Sequence, residues 1–171
     1  MKNLQFVAEM EQLFGSDQAL GVTFQLETGE VLSVDQYEAL VTQAGRENAP
    51  TAESLLPHGG SAICCTEYAV HIFNRLPGRV SIYGFPNEDN PTSRVAREEI
   101  HPGGHDFAVV DGRYIVDPWP RLVPMVLEQM VFDLEDDVDQ ALALDVYGPR
   151  SCWTRMHETE KYARELPAHL K

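Results

Sequence analysis

The sequence is poor in cysteine, poor in cations and free of long apolar runs. Three Cys in 171 residues, two of them adjacent (Cys64 and Cys65), cannot build a disulfide framework, so a reduced, cytoplasmic protein is expected. Only 13 Lys and Arg stand against 27 Asp and Glu, a formal charge of −14. That balance repels phosphate backbones and anionic lipid, so neither nucleic acid nor a membrane is expected as a partner. It favours, at most, a basic one. No apolar run approaches the ~18 residues of a membrane span. The N-terminal stretch MKNLQFVAEMEQLF carries Glu9 and Glu11 among its apolar residues, unlike a secretory h-region. Delivery by a specialised secretion system would leave no such mark.

What is present suits one α+β domain over residues 1–171 with a core of ordinary size. Leu4, Phe6, Val7, Met10, Leu13 and Phe14 recur with helical spacing and stop at Gly15, an N-terminal helix. Residues 21–34 read as two strands around Glu-Thr-Gly-Glu. Ser33 and Gln36 have capping-box spacing, starting a helix that runs to Gly45. Residues 46–60 read as a loop, 64–76 as a helix, 79–85 as a strand and 86–104 as a mobile surface loop. Leu127, Met130, Val131, Leu134, Val138, Ala141 and Leu142 keep a helical period. Cys152, Met156, Thr159, Ala163 and Leu166 form the stripe of a C-terminal helix, with Cys152 in the core. The acidic run 133–139 lacks the Gly and the twelfth-position Glu of a calcium loop, so it reads as a solvated helix face.

Three residues suggest chemistry. On the helix at 64–76, Cys65, Ala69, Ile72, Phe73 and Leu76 share the face to be buried, leaving Cys64, Tyr68, His71 and Arg75 on a more polar one. A cysteine in the first turn of a helix is favoured as thiolate by backbone N–H groups and the dipole. His105 opens a hairpin whose second strand ends at Asp117, around Asp111-Gly112. A carboxylate beside an imidazole fixes its tautomer and stabilises the imidazolium. A two-residue turn would put Asp117 on the opposite face from His105. A three-residue loop, Val110-Asp111-Gly112, pairs Val109 with Arg113 and sets His105 directly opposite Asp117. That loop is expected, with Gly112 at positive φ and with Phe107, Val109 and Ile115 on the histidine's face.

Cys65-Thr-Glu-Tyr-Ala69, followed by Phe73-Asn-Arg-Leu-Pro-Gly-Arg-Val80 and Ser81-Ile-Tyr-Gly84, resembles the nucleophile helix and outgoing strand of transglutaminase-like proteins. His105-Asp-Phe-Ala-Val109 and Tyr114-Ile-Val-Asp-Pro118 are similar to that family's His and Asp-Pro strands. The likeness covers residues 58–120. It implies a papain/transglutaminase-like fold: a nucleophile helix packed on an antiparallel sheet, with added N- and C-terminal helices. It implies Cys65 as nucleophile, His105 as general base and then acid, and Asp117 as orienting residue, with no cofactor. The activity implied is attack on an amide of a protein or peptide through a thioester, as a protease or a Gln/Asn deamidase. Transglutamination is the alternative. Phe107 stands where the family has Trp, and Val109 where an acid is common, which argues against cross-linking.

Two other classes remain as alternatives: zinc held by Cys64 or Cys65 with His101 and His105, and an inactive binding module of the same fold. The Cys65 N–H is the expected first oxyanion donor. The segment 86–104, between the Cys helix and the His strand, is the candidate cleft wall or lid.

Overall fold

The computed structural model describes residues 2–165. In chain order the helices are α1 (Leu4–Phe14), α2 (Asp17–Leu20), α3 (Val34–Ala44), α4 (Cys65–Arg75), α5 (Arg94–Arg97), α6 (Trp119–Leu122), α7 (Asp137–Tyr147) and α8 (His157–Glu165). The strands are β1 (Thr23–Leu26), β2 (Val31–Ser33), β3 (Ala52–Leu55), β4 (Val80–Pro86), β5 (Gly104–Val110), β6 (Tyr114–Val116), β7 (Val131–Asp133) and β8 (Thr154–Arg155). They form two antiparallel sheets, β2-β1-β3 and β7-β6-β5-β4-β8. The fold is α+β. None of the described helices is long and apolar enough to cross a membrane.

The larger sheet is covered on both faces. Ile82, Ala108, Val110 and Val116 share a core with α4 and α1. Phe85, Phe107, Val109, Ile115 and Phe132 share another with Val95 of α5 and Ala143, Val146 and Tyr147 of α7. Alternation along β5 thus sends 105, 107 and 109 to the α7 side, and 106, 108 and 110 to the α4 side.

The early elements follow the sequence signals. Phe6, Met10 and Phe14 of α1 are buried one turn apart, and Asn3 caps the helix by accepting from the Phe6 N–H. The Ser33–Gln36 capping box forms reciprocally at α3.

Four expectations need correction. First, 46–60 contains the strand β3: its ladder to β1 and the return contacts Ala62 N–H to Ser54 O and Leu55 to Ser61 hold it despite the flanking Pro and Gly. Second, the helical period over 127–142 is only half real. Val131, Phe132 and Asp133 are all buried, as in a strand covered on both faces, and they pair with β6. The helix starts later, at Asp137, where Asp136 caps it by accepting from the N–H groups of Val138 and Asp139.

Third, the acidic run is not a uniformly solvated face. Asp133 is fully buried against Arg113, with two hydrogen bonds of 2.7 and 2.6 Å. Asp139, also buried, takes the Asp133 N–H at 2.9 Å and the Lys2 ammonium at 3.0 Å. Fourth, Cys152 ends a 3-10 turn and is only half-buried; a short strand intervenes before α8. Glu160 of α8 accepts from the Ile82 N–H, and Met156 N–H donates to Ile82 O, so the C-terminal segment seals the open edge of β4. Leu166 lies outside the described residues.

Candidate active site

Cys65 is the first residue of α4, 3% exposed, and its helix packs on β4 and β5 as the apolar stripe requires. The stripe is wider than expected. Tyr68 and His71 are buried as well, the tyrosine hydroxyl donating to Ala62 O at 2.8 Å and the imidazole lying edge-on to Phe14. A helix covered all round needs no polar face. Burial holds His71 neutral, lowering its pKa to about 4, with His58 and Arg75 adding repulsion.

On the other side of the sheet, His105 is also buried. Its Nε2 and Asp117 Oδ2 are 2.6 Å apart, with side chains 0% and 2% exposed. The Tyr147 hydroxyl donates to the same oxygen at 3.0 Å. Burial first, then the Asp117 charge, raises the Tyr147 pKa well above the phenol range, so this donor keeps its proton. Trp119 closes over the imidazole, with ring centroids 5.2 Å apart, and its indole N–H donates to Ile63 O at 2.9 Å, tying this wall to the segment before Cys65. The other ring nitrogen, Nδ1, is buried and has no hydrogen-bond partner among the described residues.

The hairpin reaches this pairing by a different register. Val110 pairs with Tyr114 and Ala108 with Val116, so the three-residue loop is Asp111-Gly112-Arg113, one position later than expected. Arg79 accounts for the displacement: its carbonyl accepts the Asp111 N–H at 2.8 Å and its guanidinium pairs with the Asp111 carboxylate at 2.6 Å. Asp111 and Gly112 both stand at positive φ, 53° and 68°. The rung expected to join His105 and Asp117 would, continued in the observed register, join Phe107 and Asp117. A shift of two residues leaves the face unchanged, so His105, Phe107, Val109 and Ile115 still share a side.

Cys65 and His105 come from opposite layers and line one cleft of about 550 Å³ where β5 begins. Its other walls include Thr66, Phe85, Asp106 and the segment His101–Gly104. Segment 86–104 is a wall but not a loose one. Asn90 and Ser93 are fully buried, Asn90 Nδ2 donates to Tyr147 O at 2.7 Å, and Asn87 Nδ2 to His101 O at 2.9 Å.

The cysteine pair behaves differently from the expectation of a depressed Cys65. The Cys65 thiol donates to the Cys64 sulfur, and with help from N–H groups of the first turn this lowers the Cys64 pKa to about 5. Cys65 is pushed up instead, by that same hydrogen bond, by burial, and by the carboxylates of Asp106 and Asp117. Its sulfur also receives the Asp106 N–H. The two shifts run in opposite directions: of the pair, Cys64 is favoured as the thiolate and Cys65 as the thiol.

Among the described residues no three His, Cys, Asp or Glu side chains gather as metal ligands, so Cys64, Cys65, His101 and His105 do not form the alternative zinc set. Two contributors had weak or no sequence signal. Trp119 follows Asp117 by two residues and was legible as a neighbour. Tyr147 lies 30 residues beyond Asp117 on α7, and only the tertiary packing brings it in. No family model, curated protein or solved structure matches the chain.

Proposed function

We propose that the chain is a cysteine-dependent acyl-transfer enzyme of papain/transglutaminase-like arrangement that hydrolyses amide bonds of proteins or peptides, as a protease or a Gln/Asn deamidase. The observation that carries this reading is the buried imidazole of His105. Its Nε2 is held by Asp117, its Nδ1 is buried without a hydrogen-bond partner among the described residues, and His105 and Cys65 line the same cleft.

In the proposed cycle the Cys65 S–H turns from Cys64 to His105 Nδ1. The proton passes to the imidazole as the sulfur attacks the amide carbonyl carbon. Asp117 stabilises the imidazolium without taking its proton. The backbone N–H of Cys65, in the first helical turn and so without an intrahelical acceptor, faces the developing oxyanion. Collapse breaks the C–N bond, the imidazolium protonates the leaving amine or ammonia, and a thioester remains. Water, deprotonated by His105, then releases the carboxylic acid and restores the thiol. A raised Cys65 pKa fits general-base activation at the moment of attack rather than a standing thiolate.

The test is incubation with a panel of proteins and peptides, read by mass spectrometry. Cleavage identifies a protease. A gain of one mass unit at Gln or Asn identifies a deamidase, and loss of ammonia with a covalent join identifies transglutamination. An unchanged panel, with Cys65 unreactive, marks an inactive module.

A further inference from the structure

The Asp106 carboxylate has no part in the cycle above, yet it stands beside the nucleophile. Its Oδ2 accepts the Thr66 hydroxyl at 2.5 Å, from the residue after Cys65. Its Oδ1 occupies space that only a glycine leaves open: a Cβ at Gly84, its partner across the β4–β5 ladder, would lie 1.9 Å away. The carboxylate is half-buried in the cleft wall, and among the described residues no lysine or arginine lines that cleft.

For the chemistry this placement is a handicap. A negative charge here opposes ionisation of Cys65 and is one of the causes of its raised pKa. Asp117 has the same effect but supports His105 in return. Asp106 gives the site nothing comparable, although a neutral Asn or Ser would serve the Thr66 hydrogen bond.

Resting on the acyl-transfer reading in its protease form, we infer that Asp106 is the specificity residue for a cationic side chain, lysine or arginine, on the substrate residue whose backbone carbonyl Cys65 attacks. An ammonium or guanidinium at Asp106 Oδ1 completes the carboxylate's coordination beside Thr66 and Gly84. It also cancels the charge that suppresses the thiolate, so recognition and activation come from one contact. The net charge of −14 attracts such substrates from a distance.

The experiment uses the full chain and three peptidyl acyloxymethyl ketones. They differ only in the side chain on the ketone-bearing residue: lysine, norleucine or glutamate. Cys65 sulfur forms a C–S bond as the acyloxy carboxylate leaves, and its thiol proton passes to His105. Peptide mapping reads the rate at Cys65, with Cys152 as the internal reference. The lysine probe is expected to label Cys65 about 10-fold or more faster than norleucine, with glutamate slowest. In Asp106→Asn the three rates are expected to converge. Should that variant fail to fold, Thr66→Val, which frees the carboxylate without removing it, is expected to shrink the preference. Equal rates for all three probes in the native chain, with Cys65 still far faster than Cys152, overturn this inference and leave the acyl-transfer reading standing. A preference that survives both substitutions overturns the assignment to Asp106. Labelling of Cys65 no faster than Cys152 by any probe overturns the underlying reading, and the inference with it.

Discussion

His105 and Asp117 are joined along a diagonal of the β5–β6 ladder, not across a rung. The observed register, carried one step past β6, sets Asp117 opposite Phe107, yet its Oδ2 reaches Nε2 of His105 at 2.6 Å. Diagonal neighbours on one face of an antiparallel pair lie within reach of long or aromatic side chains. Here the chain also leaves β6 at Val116, and the Asp117 N–H turns to Met130 O at 2.8 Å. The side chain is thereby free to lean toward the histidine.

Asp117→Asn is expected to preserve the fold, because an amide oxygen still accepts from Tyr147. Without the carboxylate the imidazolium loses its support, and kcat/KM is expected to fall by roughly 10³–10⁴-fold, as in the comparable serine-protease change. Circular dichroism and a thermal melt verify the fold. A rate within a fewfold of native would leave Asp117 as a structural residue only.

Tyr147→Phe removes a neutral donor to Asp117 while keeping the aromatic packing around Phe107 and Phe132. The carboxylate, no longer shared, then holds the imidazolium more strongly. The acid limb of the pH–rate profile is expected to move up in pH, with a rate loss of about 10-fold, smaller than for Asp117→Asn. A rate loss without movement of the profile would mean that the hydroxyl serves packing alone.

For the two adjacent thiols the direction of the shifts fixes an order of reactivity. With its pKa lowered to about 5, Cys64 is expected to be alkylated by iodoacetamide at pH 6 ahead of Cys65, whose pKa is raised. Cys65→Ala removes the thiol that donates to Cys64, so the Cys64 midpoint is expected to rise toward the ordinary thiol range of about 8.5. Peptide mapping across pH 4–9 reads both. A Cys64 midpoint unmoved by Cys65→Ala would contradict the hydrogen bond between the thiols.

The pattern that a single element imposes was readable. The core of the buried stripe of α4 and the capping box at Ser33 follow from periodicity and spacing, and the common face of His105 and Asp117 follows once the hairpin loop has three residues. What could not be read were choices made by partners distant in sequence. Val131–Asp133 is a strand because β6 offers an edge and both faces are covered, although its apolar spacing also fits a helix. The hairpin loop lies one residue later than expected because Arg79, in the turn before β4, grips Asp111. Tyr147 enters the site from α7, whose start at Asp137 the apolar spacing does not mark. The lowered Cys64 depends on two sulfurs meeting at a helix start, which spacing does not specify.

Buried His71 links the core to acid stability. Its pKa is near 4 when folded and about 6.5 when unfolded, so the unfolded chain binds more protons between those values. The contribution is complete above pH 6.5 and is lost as pH falls through 4, on the order of 3 kcal/mol by that point. His71→Leu is expected to flatten the decline of the urea midpoint between pH 6.5 and 4. An unchanged slope would place the acid sensitivity elsewhere.

The central claim is that Cys65 forms an acyl-enzyme with His105 as its base. Rapid mixing with p-nitrophenyl acetate, acid quench and peptide mapping tests it most directly. The expected result is a burst of about one nitrophenolate per chain, with the acetyl group on Cys65. Cys64→Ala retains the burst, and His105→Ala loses it. A burst that is lost in Cys64→Ala, or one that persists without His105, would contradict the account.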